Sequence, residues 1–299
     1  MKELTMLETL RALLGVPLCA IPLSVCKPTK SYLLERDGLP LTGTAIIFAV
    51  PYLMTEDAED PTRNLSLYAV PRDYHAYMKE LAFDVISHLQ DLYPSHRFAL
   101  YSDHSPIAEV DAAARGGLGV LGMNGLLLTE EYGSFVFLGE IVTDADYATV
   151  AGTAVPSFPV EPPTCEACGA CIQACPGHCT GGERETCLSA ITQKKGELSP
   201  AEAEAVRDGG LIWGCDTCQL VCPHNRRVMK MRQDTPIPFF RNHRILRLDN
   251  RVLNGMTEAE FQVRAYSWRG RRVIERNIAL LESFADNSER DQKQERSPT

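Results

Sequence analysis

Nine of the eleven cysteines in this 299-residue chain fall between positions 165 and 222, and their spacing restricts what the chain can fold into. Two runs contain seven of them: Cys165-x2-Cys168-x2-Cys171-x3-Cys175-Pro176 and Cys215-x2-Cys218-x3-Cys222-Pro223. A cubane needs four converging thiolates, and in bacterial two-cluster proteins the cysteine that precedes proline ligates the other cluster. The spacing therefore predicts two [4Fe–4S] clusters.

The crossing rule divides most of the ligands between the two clusters. The first cluster receives Cys165, Cys168, Cys171 and Cys222, and the second receives Cys175, Cys215 and Cys218. Its fourth ligand is either Cys179 or Cys187. Cys179 lies only four residues beyond Cys175 and would have to fold back sharply, whereas Cys187 begins a predicted helix, so we assign Cys187 and treat Cys179 as a spare thiol.

A pair of zinc sites is the alternative interpretation of the cysteines. Zinc favours two Cys-x2-Cys pairs and does not require a third cysteine at the same spacing or a following Cys-Pro. Disulfides would need an oxidising compartment. The most apolar early stretch, 13–26, is interrupted by Pro17 and Pro22, and no apolar run approaches the roughly 18 residues of a membrane span. We therefore expect a cytoplasmic protein that does not enter the membrane.

The rest of the pattern predicts a mixed α/β chain with five parts. A buried strand at 44–50 and a helix at 74–92 indicate an α/β domain over 1–145. A linker at 146–163, rich in Ala, Thr and Pro, separates it from a ferredoxin-like domain at 164–224. A basic helical region at 225–284 follows, in which Thr257-Glu-Ala-Glu260 matches a helix capping box, and the polar tail 285–299 is expected to be disordered.

Charge is distributed unevenly along the chain. Residues 1–223 contain 14 Lys and Arg against 29 Asp and Glu, whereas residues 224–281 contain 13 against 5. A basic segment on an acidic protein fits contact with a polyanion, although a solvated face explains the charge equally well. The candidate phosphate contacts are Arg226, Arg227, Lys230, Arg232, Arg269, Arg271, Arg272 and Arg276. Trp268 or Tyr266 is a candidate for stacking on a base, although each more often packs inside a protein.

Several segments resemble the epoxyqueuosine reductase family, which are cobalamin-dependent iron–sulfur enzymes that complete the queuosine base in tRNA. Besides both cysteine runs, the matching segments are Tyr68-Ala-Val-Pro-Arg-Asp-Tyr-His75, Asp103-His-Ser-Pro106, Gly117-Leu-Gly-Val-Leu-Gly-Met-Asn124, Tyr132-Gly-Ser-Phe-Val-Phe-Leu-Gly-Glu140, Cys187-Leu-Ser189 and 257–281. Roughly two thirds of the chain is covered. The resemblance implies a cobalamin-binding α/β domain joined to a ferredoxin-like one, and it agrees with Cys187 as a ligand.

The resemblance also implies a mechanism. Two clusters, fed by an external electron donor, reduce the cobalt, and the epoxide of a tRNA base is opened and dehydrated. Opening the ring places charge on oxygen, so an acid is needed within hydrogen-bond reach, and this role falls on Asp103. The corrinoid is expected near Asp103, Asn124, Ser189 and Gln219. The glycines at 116, 117, 119 and 122 are expected to let the backbone approach this flat cofactor.

Other features set this chain apart from the family pattern. Val120 and Met123 stand where relatives carry tryptophan and lysine, which puts the exact substrate in doubt more than the cofactor. Neither His75 nor His104 lies in an Asp-x-His-x-x-Gly pattern, so each is expected to form hydrogen bonds rather than to ligate cobalt. Two alternatives stay open: a related corrinoid and iron–sulfur reductase with another substrate, and a simple two-cluster electron carrier.

Overall fold

The computed structural model describes residues 4–179 and 185–282 and divides the chain into two compact units. Unit 1 comprises Met1–Tyr52 and Tyr74–Cys168, and unit 2 comprises Leu53–Asp73 and Gly169–Thr299. This division differs from the predicted domains, because the segment 53–73 separates from the α/β region around it. The predicted tail 285–299 lies outside the described residues.

Unit 1 contains a four-stranded antiparallel sheet and a separate hairpin. The strands are β1 (Leu18–Pro22), β2 (Thr44–Pro51), β3 (Phe98–Tyr101), β4 (Val120–Leu121), β5 (Leu127–Leu128) and β6 (Val136–Thr143). The sheet order is β1-β2-β6-β3, and β4 pairs with β5. Every residue of β2 is buried, because both of its faces are covered, which explains the uninterrupted apolar sequence. Glu140 of β6 lies opposite Ile47 and Tyr101 and is the one charged side chain in that strand.

The helices of unit 1 cover this sheet. They are Met6–Leu14, Tyr32–Arg36, Tyr74–Leu92, Glu109–Arg115 and Tyr147–Ala151, with a short 3-10 turn at Leu23–Val25. The predicted helix at 74–92 is found with the same bounds. The helix Tyr147–Ala151 lies in the expected linker, where Asp146 caps it and Val150 is fully buried.

Unit 2 is mainly helical. Its helices are Thr55–Glu59, Ala170–Gln173, Leu188–Thr192, Pro200–Gly209, Thr217–Leu220, Pro223–Lys230, Pro238–Arg241, Asn250–Gly255, Glu258–Gln262 and 271–282, with 3-10 turns at Leu67–Ala69 and Ser267–Arg269. The predicted capping box at Thr257 and Glu260 is present. No helix among the described residues of either unit is both long and apolar enough to cross a membrane.

The segment 53–73 joins unit 2 through backbone hydrogen bonds and apolar packing. The Ile212 amide donates to the Asn64 carbonyl at 2.7 Å, and the Ser66 amide donates to the Trp213 carbonyl at 2.8 Å. Leu65 lies in the same fully buried cluster as Trp213 and Tyr266. These pairings join residues about 150 positions apart in the chain, so no local pattern predicts them.

Candidate functional site

In unit 1, the first two predicted ligands lie just beyond the β4–β5 hairpin. The Cys165 amide donates to the Leu121 carbonyl at 3.0 Å, which holds this part of the chain against the end of β4. Cys168 is exposed. Ala167 has a positive φ of 53°, so the Cys-x2-Cys loop turns tightly between the two thiols.

In unit 2, the two cysteine runs come together through a pair of short helices. Cys171 lies on Ala170–Gln173 and Cys218 lies on Thr217–Leu220, and these two helices contact each other. Cys222 caps the next helix, in which Pro223 takes the first position. The proline after the last cysteine therefore begins a helix immediately beyond the predicted ligand.

Cys179 lies beside two predicted ligands of the second cluster. Its amide donates to the Cys175 sulfur at 3.4 Å, and its own sulfur lies 3.5 Å from the Thr186 hydroxyl. Burial, followed by the nearby Cys175 and Cys187 thiols, raises the pKa of Cys179. Cys187 caps the helix Leu188–Thr192, as the sequence predicts. Its assignment as the fourth ligand stays a prediction.

All eleven cysteines are free thiols. Among the described residues, no three His, Cys, Asp or Glu side chains converge closely enough to hold a single metal ion. The amide directed at the Cys175 sulfur suits a thiolate acceptor, and the thiol-rich donor set is of the kind that holds iron–sulfur clusters. The cysteine region of this chain therefore fits the clusters.

A buried ion pair supports the loop that carries the second run. Asp216, between Cys215 and Thr217, is 1% exposed, and its carboxylate accepts hydrogen bonds from Arg63 at 2.7 Å and from the Leu67 amide at 3.0 Å. The Ser66 hydroxyl donates to the other carboxylate oxygen. Sequence reasoning missed this support, since Arg63 lies in the segment that joins unit 2 only through tertiary contacts.

The predicted proton donor, Asp103, lies in unit 1 in a loop after β3. Its φ of 60° places it in the left-handed region, and its side chain is 66% exposed. The Tyr74 hydroxyl donates to the Asp103 carboxylate, and His75 Nε2 lies 3.6 Å from it. The Tyr74 ring stacks on Phe137 at 4.0 Å. The carboxylate is thus accessible and held by a rigid aromatic donor.

Two further carboxyl groups lie behind Asp103, and sequence reasoning missed both. Burial, with the nearby Asp103 charge, raises the pKa of Glu109 to about 7. Burial, opposed by a hydrogen bond from Ser105, raises the pKa of Glu140 to about 8. A signal was available, because Glu140 is the lone charge in an apolar strand.

The other predicted contacts to a corrinoid have local partners. The Asn124 side-chain oxygen accepts from the Leu126 amide at 3.3 Å at the tip of the β4–β5 hairpin. In unit 2, the Ser189 hydroxyl accepts from Gln193 at 3.2 Å, and Gln219 is buried. Met123 is exposed in the hairpin, and Val120 is part of β4. Their role toward a cofactor stays a prediction.

Internal packing explains three of the four glycines that were expected to face a cofactor. A Cβ atom at Gly116 would lie 2.6 Å from the Cys19 sulfur, one at Gly119 would lie 2.4 Å from the Leu128 carbonyl oxygen, and one at Gly122 would lie 2.5 Å from the Asn124 side-chain oxygen. Gly117 has a φ of 85° and open space around it. Of the four, only Gly117 lacks a packing contact of this kind, and there the positive φ favours glycine.

Of the two histidines, His104 forms hydrogen bonds within unit 1, and His75 lies within ion-pair distance of Asp103. His104 Nε2 lies 2.9 Å from the Tyr32 hydroxyl, and His104 Nδ1 lies 3.0 Å from the Lys30 ammonium. His75 pairs with Asp103, as described above. Both ring nitrogens of His104 and the Nε2 atom of His75 therefore make contacts within unit 1.

The basic region divides into arginines that hold the fold and cations that face solvent. Arg271 donates to the Leu253 and Met256 carbonyls, and Arg276 donates to the Lys194 and Gly196 carbonyls, so these predicted phosphate contacts serve the fold. Local partners also occupy Arg226, Arg232 and Arg269: the Leu220 carbonyl, Glu59 and the Trp268 ring, respectively. The predicted contacts that are exposed, with no named partner among the described residues, are Arg227, Lys230 and Arg272.

The two aromatic candidates in this region differ. Tyr266 is fully buried and packs against Trp213, so it belongs to the core of unit 2. Trp268 is 58% exposed, with the Arg269 guanidinium 3.7 Å above its ring. Of the two, only Trp268 presents a surface on which a base can stack.

Comparison with known proteins supports the interpretation of the cysteines. Residues 164–225 match the family model of the 4Fe-4S double cluster binding domain. The chain therefore contains a segment of the kind that binds two iron–sulfur clusters. The family match confirms the prediction of two [4Fe–4S] clusters for this segment.

Longer comparisons extend the similarity beyond this segment. The chain is 32% identical over 231 residues to epoxyqueuosine reductase from Listeria monocytogenes, covering 72% of this chain and 56% of the relative. One solved structure with a similar fold, called a neighbour below, is epoxyqueuosine reductase with a tRNA-Tyr epoxyqueuosine-modified stem loop. Another is the Bacillus subtilis enzyme with its catalytic aspartate loop swung out of the active site. Each has a TM-score of 0.66 and 23% identity, and covers 92% of this chain and 79% of the neighbour.

These comparisons confirm the resemblance to the epoxyqueuosine reductase family and the mixed α/β fold. The chain spans about half the length of the curated relatives it matches.

Proposed function

We propose that this chain is an epoxyqueuosine reductase, which reduces and dehydrates the epoxide of epoxyqueuosine in tRNA to give queuosine. The observation that carries the proposal is the presence, in one chain, of a double-cluster segment and an accessible carboxyl group held by an aromatic donor. An electron carrier needs only the first of these features. An enzyme that opens an epoxide needs both.

The proposal includes cobalamin in addition to the clusters. When bound, cobalamin would supply a nucleophilic reduced cobalt for the epoxide carbon, and the clusters would supply electrons from an external donor. Asp103, Asn124 and Ser189 are the residues proposed to lie near it, because their polar groups are partly accessible to solvent. Gln219 fits this role less well because its side chain is buried.

Asp103 is the group that protonates the oxygen of the opening ring. The Tyr74 hydroxyl and His75 orient its carboxyl group from one side, and its exposed position leaves the other side open to substrate. The B. subtilis neighbour, whose catalytic loop carries an aspartate, supports this role.

We propose that Arg227, Lys230 and Arg272 contact the phosphates of the tRNA, since they are exposed and have no named partner among the described residues. The neighbour with a bound tRNA stem loop supports a tRNA substrate. Each lost phosphate contact should reduce the slope of log K against log salt by about 0.7 to 0.9. A cytoplasmic location is part of the same proposal.

The test uses full-length protein with its clusters intact, cobalamin, a reductant and an anticodon stem loop that carries epoxyqueuosine. Mass spectrometry of the digested nucleosides should show queuosine. Asp103→Asn should lower the rate by about 10²-fold or more, since a positioned acid contributes about 10² to 10⁴. The matched control is Asp84→Asn, an exposed carboxylate on the helix Tyr74–Leu92. Epoxyqueuosine left unchanged by the wild-type protein would refute the proposal.

A further inference from the structure

The proposed reaction needs more protons than Asp103 holds. Conversion of the epoxide to an alkene breaks both carbon–oxygen bonds, consumes two electrons and two protons, and releases one water molecule. Asp103 supplies one proton when the ring opens. A second proton must reach the departing oxygen, and Asp103 can deliver it only after it has been protonated again. This requirement rests on the proposed function.

Glu140 is a carboxyl group whose burial favours the protonated form. Its side chain is fully buried, and its Oε1 has no hydrogen-bond partner among the described residues. Its Oε2 lies 2.6 Å from Ser105 Oγ, which in turn lies 2.9 Å from the Ile107 carbonyl oxygen. The carbonyl only accepts. The single Ser105 hydroxyl proton is therefore divided between two acceptors, so the hydrogen bond from Ser105 offsets only part of the effect of burial on Glu140.

Glu109 is the acid that interacts electrostatically with both of the other two. It begins the helix Glu109–Arg115, and the backbone of Asp103 hydrogen-bonds to its carboxyl group. Its Oε1 is buried without a hydrogen-bond partner among the described residues. Glu109 interacts with both the Asp103 and the Glu140 charges. A carboxylate in this position would be unsolvated and close to two other acids, which again favours the protonated form.

The charges around the two glutamates do not offset the preference of their buried carboxyl groups for the protonated form. Asp103 and Lys30 face Glu109, and only Lys30 favours its ionised form. Glu109, Tyr101 and Cys26 face Glu140, and none of the three is a cation. Asp111, two residues after Glu109, is already paired with Lys27 at 3.0 Å. The burial and these charges agree with a pKa near neutrality for Glu109 and above it for Glu140.

We propose that Glu109, backed by Glu140, is a proton reserve that reprotonates Asp103 after its first proton transfer. The proton moves from the Glu109 carboxyl group to the Asp103 carboxylate, and solvent or Glu140 then restores Glu109. No redox change occurs in these steps. Glu109 acts through Asp103 and is therefore a positioning and proton-supplying residue that does not touch the substrate.

The first test is Glu109→Gln, whose amide oxygen still accepts the Asp103 backbone hydrogen bond but whose side chain has no transferable acid proton. The single-turnover rate at pH 7 should fall about tenfold, a smaller loss than that of the direct acid. Wild-type turnover should decline as the pH rises through about 7, and this decline should be absent in the variant. The Kd for the tRNA stem loop should not change.

The matched control is Asp111→Asn, which removes a carboxylate of the same helix that faces Lys27 and Arg115. It should keep the wild-type rate and pH profile. A Glu109→Gln variant that is folded and has the wild-type rate and pH profile overturns the proposal. So does an equal loss in both variants, since that result indicates a general effect on the helix.

A titration separates this inference from the proposed activity and needs no folded variant. In wild-type holoprotein with ¹³C-labelled glutamate side chains, two carboxyl resonances should titrate above about pH 6, far from the ordinary glutamate pKa of about 4.3. If wild-type turnover is absent but these resonances are present, the proposed function fails, whereas the inference that two buried glutamates hold protons near neutral pH is upheld. If no glutamate titrates above that pH, the reserve is refuted.

Discussion

Replacement of Arg63 by methionine should destabilise unit 2 far more than loss of an ordinary ion pair. Arg63 and Asp216 are 8% and 1% exposed, and their charged atoms are 2.7 Å apart. Arg63 also donates to the Asp57 and Leu65 carbonyls. Removal of the guanidinium leaves the Asp216 carboxylate buried and without its counter-charge, beside the predicted ligand Cys215.

The loss in the free energy of unfolding depends on which hydrogen bonds the Asp216 carboxylate keeps after Arg63 is replaced. Removal of one partner of a buried pair costs about 3–5 kcal/mol. The Ser66 hydroxyl and the Leu67 amide still donate to Asp216, so the lower end applies, and we expect about 3 kcal/mol. Asp216→Asn should cost less, because it leaves the charge on Arg63, which can move toward solvent.

The assay is urea unfolding of the cluster-loaded protein under anaerobic conditions, followed by the visible absorbance of the clusters and by far-UV circular dichroism. The matched control is Arg232→Met. Arg232 pairs with Glu59 at 3.1 Å in the same unit, but the two side chains are 61% and 59% exposed. Such pairs contribute about 0–1 kcal/mol. Equal losses in the two variants, or a loss below about 1 kcal/mol for Arg63→Met, would refute this reasoning.

Four further substitutions test the site. Tyr74→Phe removes the hydroxyl that holds Asp103 but keeps the ring on Phe137, so single-turnover assays should show a several-fold lower rate with unchanged tRNA affinity. Cys187→Ser should lose one cluster by iron analysis and absorbance, whereas Cys179→Ser should keep both. Glu140→Gln should remove the part of the pH dependence of unfolding stability that comes from this group. Folding raises the pKa of Glu140 to about 8, so its contribution to stability is fully present below the pKa it has in the unfolded chain and is lost as the pH rises toward about 8.

Each of these predictions has an outcome that contradicts it. A Tyr74→Phe rate equal to that of the wild type would show that the hydroxyl does not position the acid. Loss of a cluster in Cys179→Ser and retention of both in Cys187→Ser would reverse the ligand assignment. For Glu140, the urea midpoints of wild type and variant should diverge with rising pH, the variant being the more stable at pH 8. Parallel midpoints across that range would rule out a buried neutral carboxyl group.

The predictions from sequence succeeded where a few neighbouring residues decide the structure. The apolar spacing of 74–92 predicts a helix that is found with the same bounds, and Thr257 with Glu260 predicts a cap that is present. Both patterns act within one or two helical turns. The spacing of the cysteines is equally local, and the matching family model covers 164–225.

The glycines and the arginines show what a residue type by itself leaves open. Gly119 and Gly122 were expected to approach a cofactor, but the atoms that exclude a side chain there belong to Leu128 and Asn124. Arg271 and Arg276 were expected to bind phosphate, but they donate to backbone carbonyls. A glycine indicates that a neighbouring atom leaves no room for a side chain, and an arginine indicates that hydrogen-bond acceptors lie nearby. Only the folded chain shows which atoms these are.

The sequence by itself determined that this chain has the thiolates for two clusters, because ligand spacing within a single turn is a local property. Only the tertiary structure decided what surrounds them. It joins Arg63 to Asp216, about 150 residues away, and it places Glu109 and Glu140 behind Asp103. Burial and long-range contact set the charge state of these acids, and neither can be read from the neighbours of a residue in the chain.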